Sequence, residues 1–241
     1  YDDGQTWFNG KPVRSLIYSW KHFMERLSPV IHSAGKYIFV NNHDKRIDLL
    51  RHVDGIFDEF TYAGSPLNTT ALLCVDKPAL GWTSGSDVIR KAGTDNFFQK
   101  YLYMGVFPMA PFPGNDHAIL PDNWTDRQYF DYAPLMKLMQ HRKWVLLPHV
   151  ITVKDQLAKA NIFKVPQGYA IPVVYGGTAA AVEVHLKGLD LQKGRFEGWV
   201  YHPGTTGKIR TAISANGTGY IVTVPLTRGC AMLLLKKTPV G

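Results

Sequence analysis

The feature that most constrains this chain is a change in the spacing of its apolar residues near Trp144. Before that point, short unbroken apolar runs alternate with longer amphipathic stretches. Tyr37-Ile38-Phe39-Val40 stops on Asn41-Asn42-His43-Asp44, and Gly55-Ile56-Phe57 stops on Asp58-Glu59-Phe60. An unbroken run suits a strand buried on both faces, the usual state of a parallel sheet. Ahead of them, Leu16, Ile17, Trp20, Phe23, Met24, Leu27, Val30 and Ile31 repeat with the period of a helix. Lys11-Pro12 suits the start of that helix and Gly35 its end. The same logic predicts a short helix over 44–52, a strand over 71–75 ending on Asp76-Lys77, and a helix over 86–99. A strand over 101–108, a Pro- and Gly-rich loop over 109–122 and a helix over 125–141 follow. Such alternation is the pattern of βαβ units, whose right-handed crossovers place every strand's C-terminal end on one side.

After Trp144 the segments shorten and the punctuation changes. Strand composition recurs over 144–147, 162–165, 170–175, 180–186, 195–201, 209–214, 219–224 and 232–236. Between them lie turn signals such as Gln167-Gly168, Gly176-Gly177, Pro203-Gly204 and Asn216-Gly217. Short strands with Gly and Asn turns predict a small antiparallel β-sandwich. The expected fold class is therefore α/β, with residues 1–143 as the C-terminal half of a (β/α)8 barrel and residues 144–241 as the sandwich.

Composition narrows the classes of partner. The 241 residues are 45% hydrophobic and 19% charged, enough apolar content for a sizeable core. The net charge of +8 is spread over short pairs such as Lys45-Arg46 and Arg142-Lys143. Nucleic-acid binding wants a concentrated basic stripe, so no nucleic-acid partner is expected. No stretch reaches the ~20 apolar residues that span a bilayer, so no membrane partner is expected either. Cys74 and Cys230 fall in different expected domains, and no bridge between them is anticipated. The chain opens on Tyr1-Asp2-Asp3-Gly4, which reads as a strand end, so a missing N-terminal half-barrel is expected in the same parent chain or in a second one.

In barrels the active site lies at the C-terminal ends of the strands. The residues expected there are Asp3, then Asn41 and Asn42, then Asp58 and Glu59, then Asp76 and Lys77, and finally Asp116 and His117 in the long loop. Carboxylates predominate, without zinc-type spacing, a phosphate-binding glycine loop or a nucleophile elbow, and no cofactor or metal is expected. Glycosidic cleavage needs one carboxylic acid to protonate the leaving oxygen. A carboxylate ~5–9.5 Å away then attacks or activates water. Asp3 is assigned as nucleophile or charge stabiliser and Glu59 as general acid/base, with Asp58 the alternative for the second role. Asn41, Asn42, Asp76, Lys77, Asp116 and His117 are candidate substrate contacts, and Trp82 a stacking platform, with Trp7 and Phe8 weaker candidates of that kind. Each has a plainer role open to it: asparagine in turn chemistry, aspartate as a helix cap, aromatics as packing.

The run Tyr1-Asp2-Asp3-Gly4, the strand end Asp58-Glu59-Phe60 and a C-terminal β domain entered through Ala160-Asn161-Ile162-Phe163 resemble barrel glycoside hydrolases of the α-galactosidase-like kind. The resemblance implies catalytic carboxylates ending strands four and six, which here fall on Asp3 and Asp58-Glu59, and a closing β-sandwich. It implies a carbohydrate substrate, and a secreted or periplasmic location follows from that substrate class. A non-catalytic carbohydrate-binding protein on a degenerate barrel is the alternative. A barrel lyase or isomerase is disfavoured by the lack of phosphate-binding glycines in the last strand loops.

Overall fold

The computed structural model describes residues 6–13, 16–41, 47–58, 71, 76–81, 86–108, 123–154, 157–189, 191 and 196–238. It is a mixed α/β protein, with one parallel sheet flanked by helices and two antiparallel sheets beyond it.

The first elements are a small hairpin, β1 (Thr6–Phe8) and β2 (Lys11–Val13), where the start of a helix was expected. Its Asn9-Gly10 turn has φ of 49° and 69°, the left-handed pair that a two-residue hairpin loop requires. Helix α1 (Leu16–Ser33) follows. Its Trp20, Met24 and Leu27, at helical spacing, pack toward the core, and Met24 is buried.

Next come β3 (Phe39–Asn41), the short α2 (Ile47–Leu50), β4 (Gly55–Asp58), β5 (Ala79–Gly81), α3 (Ser86–Ala92), α4 (Thr94–Met104), β6 (Phe107–Pro108) and α5 (Asn123–Lys137). The strands form a parallel sheet in the order β3-β4-β5-β6. Two expectations are corrected here. Ala71 is helical, residues 72–75 lie outside the described residues, and the strand that pairs with β4 is Ala79–Gly81. Ala71, Leu72 and Leu73 are strong helix formers, so an apolar run there does not require a strand. The strand expected over 101–108 is reduced to Phe107–Pro108, because Phe97, Phe98, Tyr101 and Leu102 form one buried face of α4. That helix stops at Gly105, whose φ of 63° is the left-handed C-cap conformation.

From Lys143 onward every strand among the described residues pairs antiparallel. These strands are β7 (Lys143–Trp144), β8 (Ile151–Val153), β9 (Lys159–Ala160), β10 (Phe163–Val165), β11 (Gly168–Val174), β12 (Ala181–Lys187), β13 (Phe196–Tyr201), β14 (Lys208–Thr211), β15 (Ile213–Asn216), β16 (Gly219–Pro225) and β17 (Ala231–Lys237). One sheet runs β14-β13-β17-β11-β10-β7 with β9 beside β11, and the other runs β15-β16-β12-β8. The stretch expected as one strand over 209–214 is two, because the chain leaves the first sheet at Thr211 and enters the second at Ile213.

The larger sheet is a middle layer. Along β11 and β17, Ala170, Val174, Met232 and Leu234 join the core shared with α4 and α5. The alternate residues Ile171, Val173, Ala231, Leu233 and Leu235 join a second core with Val184, Leu186, Val222 and Val224 of the smaller sheet. The unbroken run Ala231-Met232-Leu233-Leu234-Leu235 follows from this, since both faces of β17 are covered. Cys230, just before it, is a buried free thiol, pushed up from its ordinary value by that burial.

Candidate functional site

The parallel sheet has two ends with different chemistry. Its C-terminal edge is made by Asn41, Asp58, Gly81 and Pro108, the last residues of the four strands. Asp58 is level with Gly81, and Gly81 with Pro108, while Asn41 is level with Phe57. Neighbouring strands lie ~4.8 Å apart. The backbone therefore sets Asn41 and Asp58 on adjacent strands at one rim. Asp3, Asn42, Glu59, Trp82, Asp116 and His117 lie outside the described residues.

The two sheet faces also differ. Val40, Ile56 and Ala79 share a register row and pack into the core with the helices. On the other face the Phe39 ring covers Gly55 so closely that a Cβ there would come within 2.3 Å of it. Phe39 nevertheless remains 47% exposed, and Phe57 and Leu80 are only half-buried. Among the described residues, β3 is paired on one side only. The sheet thus presents an apolar face and a strand edge that this chain's described residues leave open.

Asp76 and Lys77 belong at the opposite end, and their expected place at the rim is corrected. They directly precede β5, so they stand at the N-terminal edge of the sheet. The Lys77 ammonium donates to the carbonyl of Leu50 and, at 2.5 Å, to that of Val53, closing the end of α2. Asp76 is exposed and lies 3.9 Å from the Lys143 ammonium. Beside Lys77, Asp54 accepts a hydrogen bond from the Ile38 N–H at 2.7 Å and lies 2.9 Å from His32 Nε2. Burial pushes the Asp54 carboxyl up, but the Ile38 N–H, His32 and Lys77 outweigh it and hold the group below its ordinary value. Asp54-Gly55 reads as a plain turn in the sequence, yet this carboxylate ties the end of α1 to the start of β3 and β4. Only a contact spanning 22 residues reveals the His32 partnership.

A second polar cluster joins the helices to the antiparallel sheets. Arg228 donates from Nε to Asp95 at 2.8 Å, from a terminal nitrogen to Asp95 at 2.5 Å, and from the other to Asp131 at 2.6 Å. Asp95 also accepts from the Tyr132 hydroxyl at 2.7 Å. Gln99 donates to the Arg228 carbonyl and accepts from the Tyr175 N–H. A cleft of about 530 Å³ opens beside this cluster. Its charged groups are paired with one another, which suits a clamp between layers better than a reactive centre. Among the described residues no group of three or more His, Cys, Asp or Glu is placed to hold a metal ion, and no helix is long and apolar enough to cross a membrane.

The chain matches no protein-family model, and no curated protein matches it in sequence. In three dimensions it is similar to a noncanonic maltogenic alpha-amylase from Thermotoga neapolitana, with TM-score 0.52 and 10% identity over 93% of this chain and 59% of that one. A glycoside hydrolase family 30 subfamily 8 xylanase from Clostridium acetobutylicum gives TM-score 0.48 and 11% identity over 98% of this chain and 65% of that one. An alpha-fucosidase from Thermotoga maritima gives TM-score 0.40 and 12% identity over 96% of this chain and 61% of that one. The alpha-amylase likeness bears on the fold alone, and the two weaker ones add nothing to it. The chain spans 59% to 65% of the length of these proteins.

Proposed function

We propose that this chain, which has a glycosidase-like fold, is the C-terminal part of a glycoside hydrolase that cleaves an oligo- or polysaccharide with a pair of carboxylates. In this reading residues 1–143 are the second half of a (β/α)8 barrel of α-galactosidase-like architecture, and 144–241 are a closing β-sandwich. The supporting observation is the register of the parallel sheet, which sets Asp58 at the C-terminal rim, level with the ends of β5 and β6. Active sites of barrel enzymes sit at that rim.

Asp3 is the proposed nucleophile or charge stabiliser and Glu59 the proposed acid/base. Asp58 is the alternative for the acid/base role. Asn41, Asn42, Trp82, Asp116 and His117 are proposed substrate contacts. The apolar sheet face and the β3 edge that the described residues leave open, with the exposed Phe23 and Val30 of α1 (57% and 63%), favour a missing half-barrel as structural partner. That substrate class favours a secreted or periplasmic location.

The test is hydrolysis of aryl glycosides and polysaccharides by the full-length polypeptide that carries this chain. Asp3→Asn and Glu59→Gln are each expected to lower kcat by at least about a thousandfold, and Asp58→Asn by about tenfold or less. Turnover that survives both of the first substitutions refutes the assignment. Sugar binding without turnover, unaffected by either, would identify a binding protein instead.

A further inference from the structure

We draw no further inference here: the strongest candidate, the groove of about 580 Å³ along the outer face of α1 lined by Ser19, Phe23, Arg26 and Val30, is a helix face that the described residues leave open, and nothing in the structure shows what covers it.

Discussion

Replacing Arg228 tests whether the polar cluster between layers is a clamp. Arg228 occupies the first central position of a two-residue turn closed by the reciprocal hydrogen bonds of Thr227 and Cys230, both 3.1 Å. Its φ is 56° and that of Gly229 is 67°. Two left-handed residues in succession define a type I′ turn, which favours Asn-Gly. An arginine there carries a backbone cost of about 1 kcal/mol, so its side chain must return more than that. It does so through two bonds to Asp95 and one to Asp131.

Arg228, Asp95 and Asp131 have 31%, 40% and 25% of their side-chain surface exposed, so water replaces part of what is lost. Charge-assisted bonds of 1.5–3 kcal/mol each when buried are therefore discounted toward the ~1 kcal/mol ceiling of exposed pairs. Three such bonds give about 2–3 kcal/mol. Arg228→Asn removes all three but relieves the turn, for a net loss of about 1–2 kcal/mol. At 2–4 °C per kcal/mol for a chain of this size, Tm should fall by about 3–6 °C. Asp95→Asn keeps an oxygen for the Tyr132 hydroxyl, so the Arg228→Asn/Asp95→Asn cycle isolates the ion pair, with an expected coupling of about 1 kcal/mol. Differential scanning calorimetry of the four proteins at low salt measures it. An Arg228→Asn variant as stable as the parent, or strictly additive losses, would refute the clamp.

Two further outcomes follow from the fold. Gly105→Ala forces a Cβ to 2.6 Å from Arg142 Nε and 2.7 Å from the Phe163 ring at a φ of 63°, displacing a buried guanidinium bonded to the Gly105 carbonyl. The expected loss is about 2–4 kcal/mol in chemical denaturation, and a loss below ~0.5 kcal/mol would contradict the packing described. Asp54→Asn tests the N-terminal edge of the sheet. The Asp54 carboxyl is held below its ordinary value of 3.8, so the folded state binds that proton less readily than the unfolded chain. Its contribution is present above about pH 4 and is lost as the pH falls through the lowered value. The variant should be about 1 kcal/mol less stable at pH 7, and the gap should narrow as the pH falls through that lowered value; a constant gap from pH 7 down through the acid range would show that the Asp54 charge is not responsible.

How much of this was legible in the sequence depended on how long each pattern runs. Helix α1 repeats its apolar residues over several turns, and β17 carries an unbroken apolar run, so both announced themselves. The parallel strands are only two to four residues long and covered on at least one face, which leaves no period to count. The louder apolar run over 71–75 therefore masked the real strand at Ala79–Gly81, and with it the true place of Asp76 and Lys77. Phe107–Pro108 was merged with the end of α4 for the same reason, although Gly105 marks the break.

The candidate rim was half legible for a different reason. A strand ends where its run of apolar residues meets polar ones, so Asn41 and Asp58 could be placed from Val40 and Phe57 alone. The pairs that hold the sheet and the layers together follow no such local rule. His32 meets Asp54 across 22 residues and Arg228 meets Asp95 across 133. In the turn at Arg228 the local preference even points away from the residue found there. Asparagine would suit the backbone better, and arginine stands in its place because only a forked cation reaches both Asp95 and Asp131 from that position. Where a residue is locally the wrong choice, the interaction that keeps it must lie elsewhere in the fold.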